Sequence, residues 1–274
     1  MHSAGDAGDS AREEVWRSIL LGTDPRYRRA RSIFKRIPSE PRCKMCAAPF
    51  GAPGSIVARL TGRDRWPKNP KYCAFCFRVL QTNHGGAEIE ASYLFADVRG
   101  STPLAERVGA REFRRQLDRF YEIATRVLVD HDAIVDKFVG DEVIGIFIPA
   151  LTHDQHARRA IEAAAALLVA TGHGSTGGPS LPIGAGVHTG TAFVGSVGDP
   201  PTTELTALGD VVNVTARLAS LAGPGETLVT TDAATAAALD TSRLERRVLE
   251  LKGKTGTTTV WVRTTPAAEA AATS

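Results

Sequence analysis

The stretch Val135 to Phe147, Val-Asp-Lys-Phe-Val-Gly-Asp-Glu-Val-Ile-Gly-Ile-Phe, constrains this chain most. Two runs rich in Val, Ile and Phe flank Gly140-Asp141, a pattern that predicts a β-hairpin with the dipeptide at its tip. Lys137 falls on the entering strand and Asp141 at the turn. A carboxylate there is placed to face a metal ion, and a Lys four residues earlier can reach a pocket beside it. Taken alone, Gly-Asp is an ordinary turn and a strand Lys is an ordinary solvated residue.

Two other stretches change that weighting. In Tyr93 to Glu106, an apolar strand ends at Asp97 and a short Gly-containing turn follows. Ser101 or Thr102 is then expected to cap a helix that has Pro103 in its first turn. An acid beside free helix N–H groups suits a metal-bound polyphosphate. In Leu205 to Leu218, Asp210 is expected to cap a helix whose Asn213 and Arg217 lie four apart on one face.

Together these motifs resemble the signature of class III nucleotide cyclases. The matching residues are Asp97 with Arg-Gly-Ser-Thr, Lys137-x-x-Gly140-Asp141, and Gly209-Asp210-x-Val212-Asn213-x-x-x-Arg217. The resemblance runs in order from about Ile89 to Val262. It implies an α+β fold with the ferredoxin-like core of that family. It also implies intramolecular phosphoryl transfer, in which the ribose 3′-oxygen of ATP attacks its own α-phosphorus and pyrophosphate leaves.

The resemblance further implies the roles. Asp97 and Asp141 would hold two Mg²⁺ or Mn²⁺ ions, with the carbonyl of Val98 as a further ligand. Backbone N–H groups of Gly100, Ser101 and Thr102 would hold the terminal phosphates. Arg217 would stabilise charge on the α-phosphate, and Asn213 would orient the ribose. Lys137 with Thr206, seven residues before Asn213, would read adenine; guanylyl cyclases typically carry Glu and Cys at these places. Lys252 or Lys254 resembles the late Lys that touches the triphosphate. His188 is expected only to pack, and His131, His153 and His156 receive no role. In the family, metal carboxylates and the Asn–Arg pair come from different subunits, so a homodimer is implied.

Ahead of the cyclase-like region the composition changes. From Thr23 to Leu80 there are 14 Lys or Arg against 3 Asp or Glu, a surplus of 11, within a chain whose net charge is +3. That segment holds all four cysteines, Cys43-x-x-Cys46 and, 26 residues later, Cys73-x-x-Cys76. Two such pairs supply four thiolates to one tetrahedral centre; zinc is the default occupant, and iron or an iron–sulfur cluster also takes four Cys. The Gly-, Pro- and Arg-rich loop between the pairs is expected to have little regular structure, so the metal would hold it together. The Arg-dense helix expected over Asp24 to Ile37 reads as a solvated helix packing through Tyr27, Ile33 and Phe34. Its alternative is contact with an anionic partner, lipid or nucleic acid.

The expected organisation is therefore residues 1–22 as a disordered stretch with a short helix, 23–80 as a basic Cys₄ module, and 87–264 as the catalytic domain. Residues 265–274 are expected to form a disordered tail, and Gln81 to Gly86 a linker. With 43% hydrophobic and 23% charged residues, no run approaching the roughly 20 apolar residues of a membrane span, and no signal-peptide pattern, a cytoplasmic protein is expected. The leading function is an adenylyl cyclase regulated through its Cys₄ module. The alternatives are a guanylyl cyclase and a nucleotide-binding scaffold without turnover.

Overall fold

The structure, a computed structural model, describes residues 3–67, 69–82, 84–198 and 204–265; the side chains of residues 3–9, 81, 82, 137 and 139 lie outside that description. Apart from Thr265, the expected tail lies outside it too. The chain begins with α1 (Ser3–Leu20), α2 (Pro25–Phe34), α3 (Ser55–Leu60), β1 (Arg65–Trp66), β2 (Asn69–Cys73) and α4 (Ala74–Thr82). Next come β3 (Gly85–Val98), α5 (Ser101–Val108), α6 (Ala110–Asp130), β4 (Ile134–Val139), β5 (Glu142–Phe147) and α7 (Pro149–Thr152). Then follow α8 (His156–Ala170), β6 (Ile183–Val197), β7 (Glu204–Leu208), α9 (Asp210–Leu221) and β8 (Glu226–Thr230). Helix α10 (Thr231–Ala236), β9 (Glu245–Glu250) and β10 (Thr257–Thr264) complete the order.

The chain divides into two compact units. The second comprises residues 91–147, 155–190 and 209–274. Its sheet runs β4-β5-β3-β6-β8-β10-β9, antiparallel where β3 meets β5 and β4 meets β5, and parallel where β6 meets β8. Helix α6 carries Leu117, Phe120, Ala124 and Leu128 on one stripe, at helical spacing, and buries them all. With α8 and α10 they share a single core with Leu94, Val143, Phe147, Ile183 and Val187. Each fully buried Leu of this kind contributes about 1.5–3 kcal/mol. Small residues set the spacing: a Cβ on Gly145 would lie 2.7 Å from the Leu128 side chain.

The first unit comprises residues 1–90, 148–154 and 191–208. Trp16, Ile19 and Leu20 of α1 are buried, and Gly22 backs onto Ala150 of α7. Strand β7 pairs with the end of β6 from Phe193↔Leu208 to Val197↔Glu204. Strands β3 and β6 each pass through both units.

Several expectations change here. Strand β6 runs unbroken from Ile183 to Val197. Gly190 sits in extended chain where a Cβ would lie 3.0 Å from Val211. Helix α1 spans Ser3–Leu20, longer than the short helix expected within residues 1–22. The linker expected over Gln81–Gly86 shrinks, because α4 ends at Thr82 and β3 begins at Gly85. The loop between the Cys pairs contains α3, β1 and β2. Tyr27 and Phe34 are buried as expected, whereas Ile33 is 53% exposed.

Candidate active site and metal centre

Asp97 lies on β3, and Asp141 lies in the turn between β4 and β5 at the same end of the sheet. Asp97 stands opposite Glu142 in the β3–β5 ladder, and the Val98 N–H donates to the Asp141 carbonyl at 3.3 Å. The hairpin tip turns at Gly140, whose φ of 64° is the left-handed region glycine adopts without strain. The Tyr121 hydroxyl donates to the Gly140 carbonyl and fixes the tip to α6. Burial, followed by the charge of Asp141, pushes the Glu142 carboxyl up to about 7. The Arg99 guanidinium closes on Asp97 and donates to the Ser220 carbonyl. After β3 the chain turns through Gly100 (φ 63°), and Ser101 opens α5. Neither Ser101 nor Thr102 caps that helix: Gly100 is the capping residue, so their N–H groups belong to its first turn.

A second group of predicted residues gathers on α9. Val214, Thr215, Leu218 and Ala219 face inward, and a Cβ on Gly186 of β6 would lie 2.6 Å from the Ala219 nitrogen. That close approach turns the opposite face outward, leaving Asn213 exposed and Arg217 half-buried. Asp210 is the first helical residue and not the expected cap, a place taken by Gly209. Its carboxylate pairs instead with Lys254 from the β9–β10 turn. A Cβ on Gly253 in that turn would lie 3.5 Å from the Arg217 guanidinium. Lys254 and Arg217 thus flank one turn, and Lys252 lies two residues before Lys254.

Thr206 lies on β7 opposite Gly195 and is buried. Lys137 lies on β4, in the interval from Val135 to Phe138 where the register on β5 shifts; its side chain lies outside the described residues. His188 donates to or accepts from the Thr230 hydroxyl at 2.8 Å, consistent with packing.

A family model for the adenylate and guanylate cyclase catalytic domain matches residues 87–264. The chain belongs to this cyclase family. It is 29% identical over 148 residues to "Adenylate cyclase 1" of Rhizobium meliloti, covering 51% of this chain and 22% of that protein. It is 29% identical over 137 residues to "Adenylate cyclase" of Anabaena cylindrica, covering 47% and 26%. The chain therefore spans about a quarter of the curated relatives it matches. Among solved structures, the guanylyl cyclase Cya2 superposes with a TM-score of 0.59 at 25% identity, covering 69% of this chain and 98% of that one. The adenylyl cyclase CyaB from P. aeruginosa shares the fold, with a TM-score of 0.55 at 24% identity over 65% and 95% of the two chains.

Residues at the cyclase's carboxylate site fit a divalent cation. The donors are hard oxygens, as Mg²⁺ and Mn²⁺ prefer. Burial and then the charge of Asp141 raise Glu142, while the Arg99 guanidinium, which closes on Asp97, lowers it. Sequence reasoning missed Arg99, Tyr121 and Glu142. Arg99 and Glu142 sat inside or beside quoted motifs; Tyr121 gave no signal, since it meets Gly140 only through the fold.

The four cysteines are buried together, with all four sulfurs within 4.8 Å of one another. Cys43 and Cys76 sulfurs are 3.9 Å apart, and those of Cys46 and Cys73 are 3.6 Å apart. The N–H groups of Cys73 and Cys76 point at the Cys43 and Cys73 sulfurs at 3.3 and 3.4 Å. Hydrogen bonds from Cys46, Cys73 and Cys76 hold the Cys43 thiol well below its usual range, and Cys43 in turn drives Cys76 far above it. The buried Tyr27 hydroxyl has no partner among the described residues, and burial pushes its pKa well up. Arg31 clamps the first pair from α2, donating to the Met45 and Lys44 carbonyls at 2.7 and 2.6 Å. Phe77 stacks on Trp66 at 5.0 Å, and Arg63 lies 4.3 Å over the Phe75 ring. Leu80 is buried, while Phe75 is 42% exposed under that guanidinium.

Proposed function

We propose that the protein is an adenylyl cyclase, converting ATP to 3′,5′-cyclic AMP and pyrophosphate at sites shared by two copies of the chain. The observation that carries this is the placement of Asp141, in the β4–β5 turn, beside the end of β3 that holds Asp97, with Asn213 and Arg217 displayed on the outer face of α9. A scaffold without turnover would have no need to keep both sets. Asp97, Asp141 and the Val98 carbonyl would hold two divalent ions. When bound, these ions lower the pKa of the ribose 3′-hydroxyl and neutralise the triphosphate.

The remaining roles belong to the chain. The N–H groups of Gly100, Ser101 and Thr102 hold terminal phosphates at a helix start, where the dipole favours anions. Arg217, a planar multi-donor cation, stabilises charge growing on the α-phosphate, and Asn213 orients the ribose. Lys252 reaches the triphosphate, while Lys254 tethers its turn to α9 through Asp210. Lys137 donates to adenine N1 with Thr206 as its partner, which favours ATP over GTP. The double substitution Lys137→Glu with Thr206→Cys should trade cyclic AMP for cyclic GMP as product. An unchanged preference for ATP would refute the assigned reading pair.

We also propose that Cys43, Cys46, Cys73 and Cys76 hold one zinc ion, and that its occupancy tunes the cyclase. With Zn–S bonds of about 2.3 Å, a tetrahedron has sulfur edges of about 3.8 Å. The 3.9 and 3.6 Å separations match that edge. In an iron–sulfur cluster the four thiolates are divided among two or four irons, and sulfurs on different irons stand farther apart than the 4.8 Å that bounds all four here, which disfavours it. Support for tuning lies within the first unit: α4, which carries Cys76, packs on β7, which carries Thr206. Metal analysis showing about one zinc per colourless chain is the expected result; labile sulfide with iron would contradict it.

A further inference from the structure

A cavity of about 130 Å³ lies against the Cys₄ centre within the first unit, with Tyr27, Ala30, Cys46, Arg63 and Phe75 in its lining. Cys46 is the one cysteine among its described walls, and no acid is among them. Two lining residues each carry a buried polar atom with no hydrogen-bond partner among the described residues: the Tyr27 hydroxyl and the Arg63 Nε. A buried donor left unmade is costly. Two of them at one small cavity point to an occupant that accepts hydrogen bonds.

Arg63 is held without using that nitrogen. Its guanidinium lies 5.4 Å over the Phe34 ring and 4.3 Å over the Phe75 ring, and Nη1 donates to the Thr61 carbonyl at 3.2 Å. Tyr27 stands on α2 and is only 8% exposed. Its phenol stays protonated at neutral pH, so it can donate. The space holds a few waters and is too small for a nucleotide or a drug-sized ligand. Cys46 itself is buried, whereas Phe75 is exposed, so the cavity joins the protein surface to the Cys46 wall. A soft nucleophile in a small chamber with two spare donors suits a small oxygen-rich oxidant.

We propose that this cavity admits hydrogen peroxide to Cys46 and makes that cysteine the oxidation site through which the Cys₄ centre is unloaded. The inference rests on the reading that the four cysteines hold one metal ion. The Cys46 sulfur attacks one peroxide oxygen and the O–O bond breaks. The Tyr27 O–H and Arg63 Nε–H donate to the departing oxygen, which takes a proton from solvent and leaves as water. Sulfur, oxidised by two electrons, is now a sulfenic acid. The Cys73 thiolate, its sulfur 3.6 Å away, attacks Cys46, expelling hydroxide that a second proton converts to water. One peroxide is thereby reduced to two waters, and one disulfide forms. With two of its four thiolates lost, the centre no longer retains its ion.

The test uses full-length protein whose zinc content is measured first, then mixed with excess hydrogen peroxide. A chelating dye reads ion release, and mass spectrometry reads each cysteine. Cys46 should oxidise first and end in a disulfide with Cys73, with ion release keeping pace. Tyr27→Phe and Arg63→Lys should each slow Cys46 oxidation at least ~5-fold, the loss of one directed hydrogen bond. Zinc content and circular dichroism should be unchanged in both. Ala30→Leu, which fills the cavity, should slow the reaction too. On the unaltered protein, the bulkier cumene hydroperoxide should lag behind hydrogen peroxide by a wider margin than it does with a small thiol. Four cysteines oxidised at one rate, or a Cys46 rate indifferent to the substitutions and to oxidant size, overturns the site and leaves the cavity to water. Selective Cys46 oxidation in protein that never held zinc supports the cavity's chemistry and refutes the metal reading. Unselective oxidation of zinc-loaded protein does the reverse.

Discussion

The basic Cys segment and the cyclase core are held together by different physics. The core buries a continuous apolar cluster, from Leu94 on β3 through Leu128 on α6 to Leu167 on α8. Residues 42–80 bury their four cysteines beside Met45, Tyr72 and Leu80. They rely on four sulfurs within 4.8 Å, on arginines donating to carbonyls, and on rings under guanidinium groups. A region organised by apolar burial should tolerate single polar changes at its rim. A region organised by one ion should fail as a unit when the ion leaves.

The largest effect should come from the core's rim. Asp141→Asn should lower kcat by on the order of 10³, about 4 kcal/mol, while the melting temperature stays within a few degrees. A loss of rate matched by unfolding would break the contrast, since Asp141 stands in the hairpin turn and is not a member of the apolar cluster. Next, removing metal with a chelator should raise amide exchange across residues 42–80 by roughly 100-fold or more, with α6 and β5 still protected. Equal deprotection of both regions, read by mass spectrometry, would show a single cooperative unit.

Mixing the inactive variants Asp97→Ala and Arg217→Ala should restore about a quarter of wild-type activity if each site draws on two copies. Silence from demonstrated heterodimers would place both residue sets in one chain's site. Smallest is Lys254→Ala, which frees the β9–β10 turn from Asp210. It should raise the KM for ATP by about three- to ten-fold with little change in stability, as exposed ion pairs contribute about 0–1 kcal/mol. A lost kcat at unchanged KM would give Lys254 a transition-state role instead of a tether.

Much of this was legible in the residues because it repeats at short range. The hairpin at Gly140-Asp141 and the outward Asn213–Arg217 face of α9 follow from alternating and helical periods. The Cys-x-x-Cys spacing likewise anticipated the sulfur cluster. Glycines were less legible. Gly190 clears space for Val211 within β6, and Gly100 and Gly209, not the neighbouring Ser101 and Asp210, stand at the helix caps. The arginines were the least legible. Charge density suggested a solvated helix, whereas Arg31 and Arg42 spend their donors on backbone carbonyls of the Cys segment, contacts no local pattern encodes.

The most direct test of the central claim is a product assay on the purified protein with Mn²⁺ and either ATP or GTP. Cyclic AMP and pyrophosphate in equal amounts from ATP, with GTP turned over far more slowly, is the predicted result. Cyclic GMP as the main product, or nucleotide binding with no cyclic product from either substrate, would contradict it.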